Sequence, residues 1–365
     1  MKIERVDTGM VEVALEPFSA GGHLAGGSLR VETMPFLVVR VFTDNGIEGL
    51  GYAPSISHRL VKTLAAAAVE LSEVLVGEDP LAVEQMQVNV RRAAWGWVGG
   101  AITIAVCAID IALWDIAGKS AGQPLHKLLG GFRDRIPAYA SGFLRRDRNL
   151  EELQERAARL VAQGFRAVKM ETAGERHPKD EVQRLRAVRE AVGEDVDIMA
   201  DANAGWTASQ AISTGRLLEE YGLYWLEDPV QFQDIQASAR VAEALDIPET
   251  AGEYHYGVAP FRDILKAGAA DIVMPDLRRL GGITPWRKVA ALGEAFNVPV
   301  VGHLVPEVYC QLLAAIPNGL TVEMMPWSLP LFKNPPPLVN GELVLSDSPG
   351  HGLEMDEKFL EQIRS

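Results

Sequence analysis

The sequence predicts an α/β fold, a modified (β/α) barrel with an α+β capping domain on its N-terminal side. Three observations carry that expectation. Asp201 in Met-Ala-Asp-Ala-Asn, Glu227 in Trp-Leu-Glu-Asp-Pro and Glu253 in Ala-Gly-Glu-Tyr each close a short apolar run, and the steps from 201 to 227 and from 227 to 253 are both 26 residues. A strand, a helix and two short loops need about that length, so equal steps suggest successive barrel strands aiming carboxylates at one mouth. Second, short β-like runs at 136–140, 167–170, 197–200, 224–226, 249–251, 271–274, 298–301 and 320–323 alternate with helix-patterned segments such as 151–163, 180–192 and 208–221. Third, the chain before about residue 132 lacks this alternation and reads as sheet followed by helices.

In order, residues 1–53 look like antiparallel sheet. The run Phe36-Leu-Val-Val-Arg-Val-Phe leads into Thr43-Asp-Asn-Gly-Ile, and Asn45-Gly46 is the pair a type I′ hairpin turn requires, since both positions need positive φ. The glycine-rich stretch 18–27, around His23, is too poor in packing residues for a regular element. It reads as a mobile lid or as a disordered connection. Segments 63–75, 81–95 and 101–118 carry apolar residues at i, i+3 and i+4, the pattern of packed helices. The stretch Gly118-Lys-Ser-Ala-Gly-Gln-Pro-Leu breaks that pattern, placing a boundary near residue 132. The capping domain is expected to span 1–132, with 340–365 packing back to complete it, and the barrel 133–339.

Composition limits the function classes. With 48% hydrophobic and 23% charged residues the chain is globular, and its formal charge of −14 argues against a nucleic-acid partner. No Lys/Arg cluster suggests an anionic membrane surface. The apolar stretch 101–117 is interrupted by Asp110 and Asp115 and is shorter than the roughly 20 residues a membrane crossing needs, so it reads as a buried helix. Cys107 and Cys310 stand apart in apolar surroundings and read as buried thiols of a reducing, cytoplasmic compartment. No signal-peptide pattern is evident at the N-terminus. An anionic substrate would be repelled by the average field of such a protein, which makes a local cation useful.

In barrels of this kind the chemistry sits at the C-terminal strand ends. Those ends carry Lys169 and Glu171, then Asp201 and Asn203, Glu227, Glu253, Asp276, His303 and Glu323. Hard oxygen donors at 201, 227 and 253 suit a divalent cation such as Mg²⁺. A carboxylate at 276 beside an imidazole at 303 would fix the tautomer and raise the basicity of a general base. Tyr254, His255, Tyr256 and Trp327 follow strand ends too and are given no role.

The series Ala-Val-Lys169-x-Glu171, Met-Ala-Asp201-x-Asn203, Trp-Leu-Glu227-Asp-Pro, Ala-Gly-Glu253, Met-Pro-Asp276 with Gly-Gly-Ile-Thr after it, and Val-Gly-His303-Leu resembles the enolase superfamily in its mandelate racemase subgroup. The resemblance covers nearly the whole chain and implies a (β/α)7β barrel. It implies that Asp201, Glu227 and Glu253 bind Mg²⁺, which holds the carboxylate of an organic acid. It further implies that a base removes the proton next to that carboxylate and that the metal stabilises the enediolate; the superfamily is a standard illustration of this chemistry. His303 and Asp276 match the family's dyad, Lys169 a catalytic lysine, and Glu323 the residue that hydrogen-bonds the substrate carboxylate. Glu323 is expected to be protonated for that task, and Asn203 to touch a substrate oxygen.

One position departs from the pattern. Most members of the subgroup carry Lys-x-Lys, with the second lysine as a base, where this chain has Glu171. Residues i and i+2 of a strand share a side, so Glu171 is expected to face the substrate and pair with Lys169. An ionised glutamate is a weak base, which disfavours two-base racemisation and favours chemistry on one face by His303. The leading expectation is Mg²⁺-dependent dehydration of a sugar acid, aldonate or aldarate, to a 2-keto-3-deoxy acid. Racemisation, epimerisation or lactone cycloisomerisation share the first step, and an inactive metal-dependent acid-binding protein is the reading from another class. A Mg²⁺ aldolase or decarboxylase leaves Asp276 and His303 unused. The family also implies a homo-oligomer.

Overall fold

The structure is a computed structural model describing residues 1–15, 32–55, 58–95 and 99–364. The glycine-rich stretch 18–27 lies outside the described residues. In the N-terminal part β1 (Ile3–Ala14), β2 (Thr33–Thr43) and β3 (Glu48–Pro54) form an antiparallel sheet in that order. The turn between β2 and β3 differs from the sequence expectation. Gly46 has φ +83° but Asn45 is not in the positive-φ region, and Gly46 N–H donates to Thr43 O while Thr43 N–H donates to Ile47 O. One glycine in the left-handed region thus closes a longer loop, and the type I′ pair is not used.

Helices α1 (Val61–Glu73), α2 (Val83–Ala93), α3 (Ala101–Ala121) and α4 (Leu125–Leu128) follow. By length and composition α3 could cross a membrane, yet most of it is buried against β2, β3 and the barrel. Its apolar residues run around the whole circumference, the signature of a core helix. The two free cysteines, Cys107 and Cys310, are both buried, as expected. Where β3 meets α3 the backbones nearly touch: a Cβ on Gly51 would stand 1.9 Å from Ala108 O.

The barrel begins at β4 (Arg135–Leu144) and continues α5 (Leu150–Ala162), β5 (Ala167–Glu171), α6 (Pro178–Val192), β6 (Asp197–Asp201), α7 (Ala208–Leu218), β7 (Leu223–Glu227), α8 (Ile235–Ala244), β8 (Glu249–Ala251), α9 (Ala259–Ala267) and β9 (Ile272–Val273). After these come α10 (Leu277–Leu280), α11 (Ile283–Ala295), α12 (Pro306–Ala314) and β10 (Val322–Met324). Strands β4 to β9 pair in parallel in sequence order, and β10 returns to pair in parallel with β4. The expected strand at 298–301 is reduced to isolated bridges, Val273 with Val300 and Val300 with Gly319. Pro299 lies inside this stretch and Pro275 just after β9, and neither can donate to a ladder, which keeps the closing strands short. Inside the ring, Tyr139, Ala167, Met199, Trp225, Ile272, Met274 and Val301 form an apolar cluster separate from the main core.

The C-terminal segment divides between the two parts, a correction to the expectation that 340–365 joins the N-terminal part alone. Hairpin β11 (Leu338–Val339) and β12 (Glu342–Val344) adds antiparallel to the first half of β4, while α13 (Glu357–Arg364) packs on β1. The exposed edge of β4 ahead of its pairing with β10 is what the hairpin covers.

Buried polar contacts join α3 to the barrel. Asp110 accepts from Thr284 N–H at 2.9 Å, Thr284 Oγ1 at 2.6 Å and Gln87 Nε2 at 2.6 Å, and burial lifts its carboxyl to about 6. Folded Asp110 therefore holds its proton more tightly than the unfolded chain does, and its ionisation weakens the fold as pH rises from about 4 to 6. Asp110→Asn, neutral throughout, is expected to gain about 3 kcal/mol relative to the native chain across that interval. Urea denaturation at a series of pH values reads this, and parallel stability curves for the two proteins would contradict it. Gly51→Ala is expected to cost about 1–3 kcal/mol or more through backbone displacement, measured the same way at pH 8; a loss within error would mean β3 and α3 separate freely.

Candidate active site

The parallel register builds the site. Glu171, Asp201 and Glu227 are Cα partners across β5, β6 and β7, so their carboxylates stand in one row at the strand ends. One rung below lie Lys169, Met199 and Trp225, and the apolar barrel interior forms the floor. Trp225 Nε1 donates to Glu227 Oε2 at 3.0 Å, and Tyr139 stacks edge-on against Trp225. The segments just past the strands turn sharply: Ala173, Asn203, Ala204, Asp228, Leu304 and Val305 all have φ between 38° and 61°. Such conformations cost on the order of 1–3 kcal/mol each and concentrate at functional sites.

A cavity of about 230 Å³ opens over this row, lined among others by Lys169, Glu171, Asp201, Asn203, Glu253, His303 and Glu323. Lys169 Nζ pairs with Glu227, with Glu323 Oε1 at 2.9 Å and with Asp201 Oδ2 at 3.6 Å. Burial pulls the Lys169 ammonium down, but Glu227 and Glu323 outweigh it and hold it well above its ordinary range. His303 Nδ1 lies 2.6 Å from Asp276 Oδ2 and Nε2 lies 3.0 Å from Glu253 Oε2. Burial lowers the imidazole, yet Glu253, the Asp276 hydrogen bond and Glu323 push it up to about 10. Arg278 binds the same Asp276, from Nη2 to Oδ2 at 2.5 Å.

Two sequence expectations change here. Glu171 does not pair with Lys169. It accepts from Arg146 N–H at 3.2 Å and Nε at 3.3 Å, and its Oε1 lies 3.7 Å from Arg145 Nη1. Lys169 is drawn to the deeper carboxylates Glu227 and Glu323, which are more buried than Glu171. Glu323 is not raised toward neutrality: burial raises it, but Lys169, His303 and the Leu304 N–H at 2.8 Å lower it below its ordinary value. Asn203 donates from Nδ2 to Asp201 Oδ2 at 2.8 Å and accepts from Arg146. Arg145, Arg146 and Arg279 were not singled out by the sequence, although Arg145 and Arg279 line the cavity. The signal was present in Arg145-Arg146-Asp-Arg148, immediately after the first barrel strand, in a chain of net charge −14.

Among the described residues no three His, Cys, Asp or Glu side chains converge as a ready ligand cage. The ammonium of Lys169 stands between Asp201 and Glu227, and Glu253 is turned to His303. The donor set nevertheless fits a divalent cation. Asp201, Glu227, Asp228, Glu253 and Glu323 are all buried, and Asp228 Oδ2 is a buried oxygen without a hydrogen-bond partner. Burial first, then the neighbouring acids, pushes Asp228 and Glu227 well up, and burial with Glu253 lifts Asp201 to about 6 even against Lys169. Lys169, His303 and Arg279 are fewer positive charges than these five carboxylates, and hard oxygens in excess are what Mg²⁺ takes.

This fold and site define an enzyme that acts on an anionic small molecule with the help of a divalent cation. The chain belongs to the mandelate racemase / muconate lactonizing enzyme family of the enolase superfamily: the enolase C-terminal domain-like family matches residues 152–359, and the mandelate racemase / muconate lactonizing enzyme N-terminal domain matches 11–130. It is 33% identical over 97% of its length to a 3,6-anhydro-alpha-L-galactonate cycloisomerase of Streptomyces coelicolor, covering 97% of that protein. It is also 33% identical to an L-talarate/galactarate dehydratase of Salmonella typhimurium, over 94% of this chain and 86% of that one. The crystal structure of an L-talarate dehydratase from a Polaromonas species, complexed with Mg and L-glucarate, superposes with a TM-score of 0.92 at 30% identity, covering 99% of this chain and 97% of that one.

If Lys169 is the counter-ion of the buried acids, Lys169→Met is expected to lower the stability of the metal-free protein by about 3–5 kcal/mol. Urea denaturation in EDTA reads the loss, and added MgCl2 is expected to recover more stability in the variant than in the native chain. A loss below about 1 kcal/mol, the range of an exposed pair, would remove Lys169 from that role.

Proposed function

We propose that this protein is a Mg²⁺-dependent sugar-acid dehydratase that converts an aldonate or aldarate to a 2-keto-3-deoxy acid. The observation that carries the reading is the His303–Asp276 dyad opening onto the carboxylate cavity, with Glu171 neutralised by arginines where a second base would stand. Asp201, Glu227 and Glu253 would hold the ion, with Asp228 beside them. A bound Mg²⁺ would supply positive charge beside the substrate carboxylate and the charge that develops on it, and Glu253, as one of its ligands, would leave His303 Nε2 free.

The chain's own residues do the rest. Lys169 orients the substrate carboxylate from below, and Glu323 holds the Lys169 ammonium in place. His303 Nε2 removes the proton on C2, while Asp276 holds Nδ1–H and balances the imidazolium. The same imidazolium returns that proton to the C3 hydroxyl, which leaves as water, and the resulting enol ketonises at C2 by taking up a proton at C3. Abstraction and departure on one face require no base at position 171. Both named relatives act on sugar acids, one as a dehydratase and one as a cycloisomerase, so lactone cycloisomerisation from the same enediolate is the second reading.

In this reading residues 1–132 cap the barrel of 133–339, and the enzyme works as a symmetric homo-oligomer in the cytoplasm, which the pair of free buried thiols suits. The holoenzyme with a panel of aldonates and aldarates is expected to release 2-keto acid, and His303→Asn to lose both dehydration and C2-proton exchange with D₂O by about 10²- to 10⁴-fold. Exchange without 2-keto acid across the panel would instead favour epimerisation or cycloisomerisation.

A further inference from the structure

Glu227, one of the three acids proposed to hold the cation, is gripped from beneath by a residue that the chemistry above does not use. Trp225 stands two residues before it on β7, so both side chains face the barrel interior. The indole Nε1–H donates to Glu227 Oε2 at 3.0 Å, and both residues are fully buried. The other oxygen, Oε1, is the one that Lys169 takes. Lys169 and Trp225 thus divide the carboxylate between them, one on each oxygen.

The two donors are unlike in kind. Lys169 ends in a flexible ammonium that lines the cavity and is shared with Glu323 and Asp201. Trp225 is locked in place: its ring meets Tyr139 edge-on, centroids 5.2 Å apart at 88°, and Tyr224 tilts against it at 5.5 Å. It belongs to the apolar cluster that fills the ring under the cavity. A buried indole N–H needs an acceptor, and an ionised carboxylate is a strong one. The bond to Oε2 therefore holds whether or not Lys169 stays on Oε1.

Lys169 marks the side on which positive charge meets Glu227, namely Oε1 on the side toward Asp201. A cation in the place of that ammonium would find Oε1 open and Oε2 already bound by the indole. One oxygen per carboxylate suits Mg²⁺, which demands a near-octahedral shell of short bonds, whereas chelation by both oxygens suits the larger Ca²⁺. Resting on the Mg²⁺ reading of this site and on nothing about the reaction, we propose that Trp225 is a positioning residue that keeps Glu227 to one-oxygen binding. It thereby sets the preference of the site for Mg²⁺ over Ca²⁺.

Calorimetric titration of the metal-free chain with MgCl2 and, separately, with CaCl2 tests this. The readout is the ratio of the two dissociation constants, because a general loosening of the protein weakens both ions and cancels. Two variants are compared with the native chain. Trp225→Phe removes the N–H and part of the ring; 3-benzothienylalanine at position 225 keeps the size and shape of the indole and puts sulfur in place of the N–H. In both, Mg²⁺ is expected to bind about 10-fold more weakly while Ca²⁺ keeps its affinity, so the preference for Mg²⁺ falls by about 10-fold, the lower end of what a hydrogen bond to a metal ligand contributes. The isostere gives the answer if the Phe variant is too unstable to titrate. An isostere with the native ratio would overturn the proposal whatever the Phe variant does, since the effect would then be one of packing. That result, with Mg²⁺ still bound, strikes at Trp225 alone, whereas a native chain that binds no Mg²⁺ would overturn the metal reading and this inference with it.

Discussion

The row of carboxylates set by the parallel register is the constraint on which the rest of this structure depends. Glu171, Asp201 and Glu227 are neighbours because β5, β6 and β7 end in register, and a shift of one residue in any strand would turn a carboxylate away from the cavity. Beneath them the barrel interior is apolar, so the acids cannot relax into water. Their mutual repulsion is offset by Lys169 one rung below, by His303 across the mouth and by arginines at the rim. The left-handed residues that follow the strands are the local cost of turning the chain without moving these groups.

The same constraint separates the chemical tasks. Deep in the cavity, Lys169 and Glu323 face the end where a carboxylate would sit. On one side Asp276, itself held by Arg278, fixes the His303 ring at the cavity wall. On the other, Arg145 and Arg146 face Glu171, so the position that could have supplied an opposing base is an arginine-paired carboxylate. The asymmetry between an imidazole face and an arginine face is what makes elimination a better match to this site than inversion of configuration.

Much of this was legible in the sequence because it follows from short-range rules. Equal 26-residue steps gave the strand ends, and strand alternation placed Lys169 and Glu171 on one side. The dyad was visible because Asp276 and His303 end consecutive apolar runs. What could not be read depended on competition between groups far apart in the chain. Lys169 chooses Glu227 and Glu323 over nearby Glu171 because those acids are deeper, and Glu323 stays ionised because Lys169 and His303 both face it. The Asn45-Gly46 turn failed for a local reason, since a single glycine at positive φ in a longer loop serves a hairpin as well as two positive φ angles. The division of the C-terminal segment between β4 and β1 needed the tertiary edge of β4, which has no sequence signal.

The central claim is that the buried acid row is a divalent-cation site placed beside the dyad. A crystal structure of the Mg²⁺-loaded protein tests it most directly. The account predicts one ion with oxygens of Asp201, Glu227 and Glu253 at about 2.1 Å, Lys169 Nζ shifted away from Asp201 and Glu227, and His303 Nε2 released from Glu253. An ion held elsewhere, or a loaded site in which Lys169 keeps its place between Asp201 and Glu227, would contradict it.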